Sequence, residues 1–316
     1  MVDPECGVDF QNILMPQAVD DFIARQQMPV EAVPTPFPEW NDMCRGDGGR
    51  KGLALGWHTV IGGATNMGKT MLALNLGARA IKEGYDVGLV SLEMSVDQIK
   101  HRMYSILTGI EANDLGRSTF KVEQSGRLKA VIGDLYGTVG HQPLFLVNKE
   151  PVRNVDDILA NLEWFREQFG VRVFIVDYLQ LCTSGSEDDM RKQVAQVSGK
   201  LFTYAHHKGA LTIALSQLNR FTTRDKSQPP RPESLTESSS LENDADMVAL
   251  LDHSNYEVDG LCPWLHKTWI NVGKNRHGSK GSVPIEWDWK TFRCREAMPD
   301  EASRWPGYKG DKHQAA

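Results

Sequence analysis

Residues 60–70, Val60-Ile-Gly-Gly-Ala-Thr-Asn-Met-Gly-Lys-Thr70, constrain this chain more than any other stretch. Gly63 to Thr70 spells G-x-x-x-x-G-K-T, with the apolar run Thr59-Val60-Ile61 before it and a helical pattern, Met71 to Leu76, after it. Strand, glycine loop and helix in that order are the context that turns this spacing into a phosphate cradle. The cradle residues are Gly63, Ala64, Thr65, Asn66, Met67, Gly68, Lys69 and Thr70. Glycines let the backbone curl so that successive N–H groups face a phosphate, and the following helix adds its positive end. Lys69 would reach the β- and γ-phosphates, and the Thr70 hydroxyl would ligate Mg²⁺. The bland alternative, a glycine-rich turn that matches by chance, leaves the flanking strand and helix unexplained.

Length bounds the number of such units. At 316 residues the chain has room for about two domains of ~150 residues. Its 41% apolar and 24% charged residues are ordinary for a globular protein. No apolar run approaches the ~20 residues of a membrane span, so no membrane partner is expected. The N-terminus, Met1-Val-Asp-Pro-Glu-Cys6, lacks a basic-then-apolar signal pattern. Five widely spaced cysteines without a C-x-x-C argue against a disulfide framework or a zinc site and point to a reducing cytoplasm. A net charge of −6 excludes a surface coated in basic residues, while a local basic channel for nucleic acid stays open.

Read in order, residues 1–50 hold one amphipathic helical pattern at 12–27, with Ile13, Leu14, Val19, Phe22 and Ile23 apolar. It packs either on its own domain or on a neighbouring subunit. A proline-rich bridge, expected to be stiff and extended, follows at 29–38, and Gly46 to Gly49 reads as a turn. From Leu55 strands and helices alternate. Strands are expected at 57–62, 86–92, 144–148, 171–177, 211–216, 246–251, 268–273 and 282–287, and helices at 69–83, 95–108, 119–136, 154–169 and 188–208. Val171 to Val176 and Leu211 to Leu215 are nearly continuous apolar runs, which suit a parallel sheet buried on both faces, and the intervening helices suit right-handed crossovers. The last strands read as an antiparallel hairpin turning at Trp287 to Thr291. The polar tail, 296–316, is expected to be poorly ordered.

Three further stretches fall at strand ends, where open α/β sheets place their ligands. Glu93, in Val90-Ser-Leu-Glu-Met-Ser95, could orient and deprotonate an attacking water, or be an ordinary acidic residue at a helix N-terminus. Asp177, closing the run Phe174-Ile-Val-Asp177, could hold Mg²⁺ through water, or simply cap a strand. Gln217, in Ala214-Leu-Ser-Gln-Leu-Asn-Arg220, could sense the γ-phosphate and relay its presence to the loop that follows, or be a plain polar strand end. The tryptophans Trp264, Trp269, Trp287 and Trp289 read as core or interface rather than as stacking platforms for bases, and His206-His207 is not read as a ligand pair.

Ser91-Leu-Glu-Met-Ser95, Asp177-Tyr-Leu-Gln-Leu181 and Ser216-Gln-Leu-Asn-Arg220 together resemble, nearly letter for letter, the signature blocks of the DnaB family of bacterial and phage replicative helicases. Leu235 to Asp246 and Lys274-Asn-Arg-His-Gly278 resemble two more of its blocks, in the same order, so that the resemblance covers roughly residues 33–295. It implies a RecA-like P-loop ATPase core: a mostly parallel, twisted α/β sheet flanked by helices, with a C-terminal antiparallel hairpin. It implies ATP and Mg²⁺ as cofactors, translocation on single-stranded DNA, unwinding of duplex at a replication fork, and a homo-oligomer, in this family a hexameric ring. Glu93 resembles the catalytic glutamate and Gln217 the coupling glutamine. Arg276 resembles an arginine finger that reaches the neighbour's site in trans, with Lys274 beside it on the γ-phosphate. Without the family, Lys274 and Arg276 would be a small solvated basic patch.

The resemblance also implies DNA contact by the loop carrying Arg220, Arg224, Lys226 and Arg231, and by Glu237, Ser238 and Ser239 after it; a plain charged loop is the alternative. Two departures stand out. Thr236 and Ser239 occupy positions where the family usually has Arg and Gly, which removes one expected phosphate contact. Residues 1–50 are too few for the family's N-terminal collar domain, so the expected organisation is an extension with a linker-like helix (1–50), a motor domain (51–295) and a tail (296–316). That puts contact with a primase or helicase loader in question. A minimal phage or plasmid helicase in a bacterial cytoplasm fits this organisation, and so does a DnaB-related regulatory ATPase without processive unwinding.

Overall fold

The computed structural model describes residues 31–44, 51–116, 120–141, 144–148, 150, 152–184, 190–218, 230–235, 238–252 and 267–298, and only the backbone at 190, 191, 238 and 239. The amphipathic stretch 12–27, the turn 46–49 and the tail from 299 lie outside the described residues. Eleven strands occur among them: β1 (Ala32–Val33), β2 (Leu53–Ala54), β3 (His58–Gly63), β4 (Val87–Ser91), β5 (Phe145–Val147), β6 (Val173–Asp177), β7 (Leu211–Gln217), β8 (Met247–Asp252), β9 (Lys267–Asn275), β10 (Gly281–Asp288) and β11 (Arg293–Glu296). The helices are α1 (Pro38–Met43), α2 (Lys69–Lys82), α3 (Val96–Thr108), α4 (Val122–Val139), α5 (Val155–Phe169), α6 (Met190–Lys208) and α7 (Ser238–Asp244).

Nine of the strands form one sheet in the order β11-β10-β9-β8-β3-β7-β6-β4-β5. From β8 to β5 all neighbours run parallel. The continuous apolar runs explain this. Side chains alternate between faces along a strand, and here both faces are covered. In β6, Val173 and Ile175 join a cluster with Met71, Leu72 and Leu74 of α2. Phe174 and Val176 join another with Ile158 and Leu162 of α5 and Val194 and Leu201 of α6.

At the other edge the chain turns antiparallel. β9 pairs with β8, β10 with β9, and β11 with β10. The expected hairpin is therefore one corner of a longer antiparallel extension, and β9 runs on through Lys274 and Asn275. The helix expected at 119–136 lies at Val122–Val139, ending at Gly140 in the left-handed region (φ 75°). None of its residues is fully buried, and Val131 and Leu135 pack against the core.

The proline-rich bridge is not a spacer. β1 pairs antiparallel with β2, and Pro38 sits in the first turn of α1, where its missing N–H costs nothing. Phe37 and Trp40 are fully buried and Met43 nearly so, all within the α2-side cluster. The core cluster thus includes residues ahead of 51. The sequence signal was the helical spacing of Phe37, Trp40 and Met43–Cys44, obscured by the prolines around it.

The sheet registers Ser91 against Asp177 and Gly63 against Gln217. The C-terminal ends of β3, β4, β6 and β7 therefore stop together along one edge. At the opposite end the fully buried His58 is held between Thr212 Oγ1 (2.8 Å) and Ser198 Oγ (3.2 Å).

Two stability measurements follow. Trp40→Ala should cost about 3–5 kcal/mol in urea unfolding; a loss below about 1 kcal/mol would show that the segment does not share the core. Burial pushes the His58 imidazole down to about 4 from 6.5. Below pH 6.5 the unfolded chain takes up this proton and the native chain does not until near pH 4, so stability falls as pH drops through that window, by about 3 kcal/mol from this group. His58→Gln should remove that share of the acid-side slope.

Candidate nucleotide site

Four strand ends and one loop build the site. Beyond Gly63 the chain turns through the glycine loop into α2, with Gly68 at the helix N-cap in the left-handed region (φ 88°). A Cβ there would also come within 3.2 Å of the Trp287 ring and 3.5 Å of Trp289, so glycine serves both the turn and the close approach of the C-terminal strands. Lys69 is folded over the loop and donates to the carbonyls of Gly63 (2.9 Å) and Ala64 (2.8 Å). Burial lowers the pKa of its ammonium, with Asp177 and Glu93 acting in the opposite direction.

Asp177 ends β6 and is 2% exposed. The Thr70 hydroxyl donates to its Oδ2 at 2.8 Å. Burial raises the pKa of the Asp177 carboxyl and the charge of Glu93 adds to this, against the Thr70 hydrogen bond and the charges of Lys69 and Arg102. The Thr70 hydroxyl and the Asp177 carboxylate are hard oxygen donors side by side beneath the glycine loop, a chemistry that fits Mg²⁺, held at Thr70 and through water at Asp177. Among the described residues no cluster of three or more His, Cys, Asp or Glu could hold an ion by itself.

Glu93 lies in a tight turn between β4 and α3. The Met94 amide donates to Ser91 Oγ (3.0 Å), and α3 begins only after Ser95, whose capping box with Gln98 closes the helix end. Glu93 is therefore ahead of the helix cap rather than in the first turn, and it lines a cavity of about 320 Å³ together with Thr65 to Met71, Asp177 and Gln217. Gln217 reaches from the end of β7 to Thr65 Oγ1 of the glycine loop. Gln180 holds the Gln217 backbone by accepting from its amide at 3.2 Å and anchors itself on Ser216 Oγ at 2.9 Å.

Some residues of this cavity were not anticipated. Arg102 of α3 lines it and lies 5.3 Å over the Phe292 ring. The signal was an arginine at helical spacing between the buried Ile99, Met103 and Ile106. Trp269 and Trp287 are buried as expected. Trp289 packs against the same core and also lines the cavity, where its buried Nε1 has no hydrogen-bond partner among the described residues, and Trp264 lies outside the described residues. The site thus has a polar end at the glycine loop and an aromatic end at Trp289 and Phe292.

Lys274 and Arg276 are not there. Asn275 pairs with Met247, and Met247 with Thr59, at the start of β3. Four residues of strand, about 13 Å, separate Thr59 from Gly63. Arg276 donates to Asp246 Oδ1 (3.4 Å) and to the Asn243 carbonyl, and Lys274 to the carbonyls of Glu242 and Asn243. Of the loop residues, Arg231 is described, exposed, next to the short turn Pro232–Ser234. Arg220, Arg224, Lys226 and Glu237 lie outside the described residues, as do the side chains of Ser238 and Ser239.

The model of the DnaB-like helicase C terminal domain family matches residues 34–296. The chain belongs to that family. Relatives include the replicative DNA helicase DnaC of Bacillus subtilis, 28% identical over 94% of this chain and 65% of its own length. A probable plasmid replicative DNA helicase of Chlamydia trachomatis is 29% identical over 84% of this chain and 55% of its own length. This DnaB-like chain therefore spans rather over half the length of the curated relatives it matches. A solved structure described as an ATPase domain superposes with a TM-score of 0.75 at 24% identity, covering 92% of this chain and all of that one. A DnaB-like replicative helicase solved with attention to its interactions with primase gives the same TM-score over 90% of this chain. These neighbours bear out the RecA-like fold.

Thr70→Ala and Asp177→Asn should each raise the Mg²⁺ concentration for half-maximal ATP turnover by about tenfold or more. An unchanged half-saturation in either variant would remove that residue from the metal site.

Proposed function

We propose that this chain is the ATP-hydrolysing motor of a DnaB-type replicative helicase, which moves along single-stranded DNA and unwinds duplex at a replication fork. The observation that carries the reading is the hydrogen bond of Thr70 to Asp177 beneath the glycine loop, with Glu93 and Gln217 on the same cavity, in a chain of this family. Loop amides and Lys69 hold the β- and γ-phosphates of ATP. Thr70 and Asp177 hold Mg²⁺, which when bound neutralises charge developing on the phosphates. Glu93 takes a proton from the attacking water. Gln217 touches the glycine loop and lies three residues ahead of the basic segment 220–232, so nucleotide state and DNA grip meet at one strand end. That segment, with Arg220, Arg224, Lys226 and Arg231, and the following Glu237, Ser238 and Ser239, meets the DNA backbone.

Lys274 and Arg276 complete the site of the next subunit. Their position at the N-terminal end of the parallel strands, away from their own glycine loop, supports this. It requires a head-to-tail assembly, and a closed hexameric ring satisfies it. A primase is a partner to test, since one structural neighbour is described with its primase interactions. A bacterial cytoplasm suits this work, and no helix among the described residues is long and apolar enough to cross a membrane.

ATP-driven displacement of a strand from forked DNA is the expected result. Nucleotide-dependent assembly without displacement would favour a regulatory ATPase instead. Lys69→Ala and Arg276→Ala should each lower turnover by ~10³-fold or more. Mixing the two variants should restore part of it, because an intact site then meets an intact finger.

A further inference from the structure

The end of the sheet opposite the nucleotide cavity carries a second polar cluster, centred on Asp246. Its carboxylate is fully buried. Oδ2 accepts from the His58 amide at 2.9 Å and lies 3.0 Å from His206 Nε2. Oδ1 accepts from Arg276 at 3.4 Å, with His277 Nε2 at 3.7 Å. The main chain is locked as well: the Asp246 amide donates to the His58 carbonyl (2.8 Å), and the Arg276 amide to the Asp246 carbonyl (2.9 Å). One oxygen is thus committed to the rigid start of β3 and to α6, which leaves the other to face the guanidinium.

Arg276 is held from three directions. One terminal nitrogen meets Asp246, the other meets the Asn243 carbonyl, and the guanidinium lies 5.4 Å over the Phe202 ring of α6. Phe202 is itself steadied by the His206 ring, 4.2 Å away. The Asn243 and Glu242 carbonyls are free to accept because α7 ends there. The Asp246 amide, which would have continued the helix by bonding to Glu242, is turned to His58 instead. The Arg276 side chain still keeps 36% of its surface exposed. The guanidinium is thus anchored within its own subunit and still partly open to solvent.

We propose that Asp246 and Phe202 are positioning residues for Arg276, setting the direction in which it leaves its own subunit toward the neighbour's nucleotide. The inference rests on the reading of Arg276 as a finger acting in trans. It adds a link: α7 follows directly on the proposed DNA-contacting segment, and its last carbonyls hold both Lys274 and Arg276.

The test uses the full chain. In Asp246→Asn, kcat for ATP should fall by about 10²-fold, the cost of misplacing a reacting group by an ångström, while KM and nucleotide binding by isolated subunits stay within about twofold. Mixing with Lys69→Ala subunits should restore turnover, as it does for Arg276→Ala, and Asp246→Asn/Arg276→Ala should be no slower than Arg276→Ala alone. Wild-type kcat in Asp246→Asn beside an inactive Arg276→Ala overturns the positioning role. So does a folded Asp246→Asn that loses nucleotide binding or is not rescued by mixing, since its role is then structural. Wild-type turnover in Arg276→Ala overturns the finger itself, a distinct result. If Asp246→Asn does not fold, Phe202→Ala decides: kcat about tenfold lower and rescued by mixing supports the proposal, and an unchanged kcat overturns it.

Discussion

Burial of the parallel strands on both faces governs the rest of this structure. With apolar side chains directed to α2 and α3 on one face and α5 and α6 on the other, β3, β4, β6 and β7 leave polar chemistry only their ends. At the C-terminal ends the register brings Gly63, Ser91, Asp177 and Gln217 to one line, so a loop, a turn and two side chains from distant parts of the chain share a cavity. A carboxylate there is buried enough for its pKa to rise, and among the described residues the Thr70 hydroxyl donates to it.

The same constraint creates the opposite end. His58 opens β3 and Asp246 immediately precedes β8 beneath the same apolar layers; the His58 amide fixes Asp246, and Asp246 holds Arg276 together with the Phe202 ring. A sheet with the glycine loop at one end and the basic pair Lys274 and Arg276 at the other is polar along its strands. Copies stacked head to tail bring unlike ends together, whereas a two-fold pair would bring like ends together. The antiparallel strands β9 to β11 serve both ends, carrying Lys274 and Arg276 downward and returning Trp289 and Phe292 to the rim of the cavity.

How much of this was legible in the sequence depended on whether a residue's role was local. The glycine loop, the strand-closing Asp177 and the turn at Glu93 are encoded by their immediate neighbours, and each lies where the pattern predicted. Arg102 was missed because a charge on an apolar helical stripe has no meaning until its opposite wall, Phe292, is in place. Phe37 and Trp40 were hidden by prolines, which mark both stiff linkers and helix starts. Lys274 and Arg276 could be named from family resemblance, but nothing around them in the chain says which end of the sheet they occupy.

The sequence by itself determined the fold class: a glycine loop between strand and helix, an aspartate closing a buried strand and an alternating α/β order, because these follow from backbone geometry and hydrophobic period over short spans. Only the tertiary structure decided that the cavity has an aromatic end, that residues ahead of 51 belong to the core, and that the basic pair faces away from its own nucleotide loop. Those outcomes depend on strand order and on the reversal from parallel to antiparallel at β9. Strand order is set by packing among segments distant in the chain, which no local pattern records.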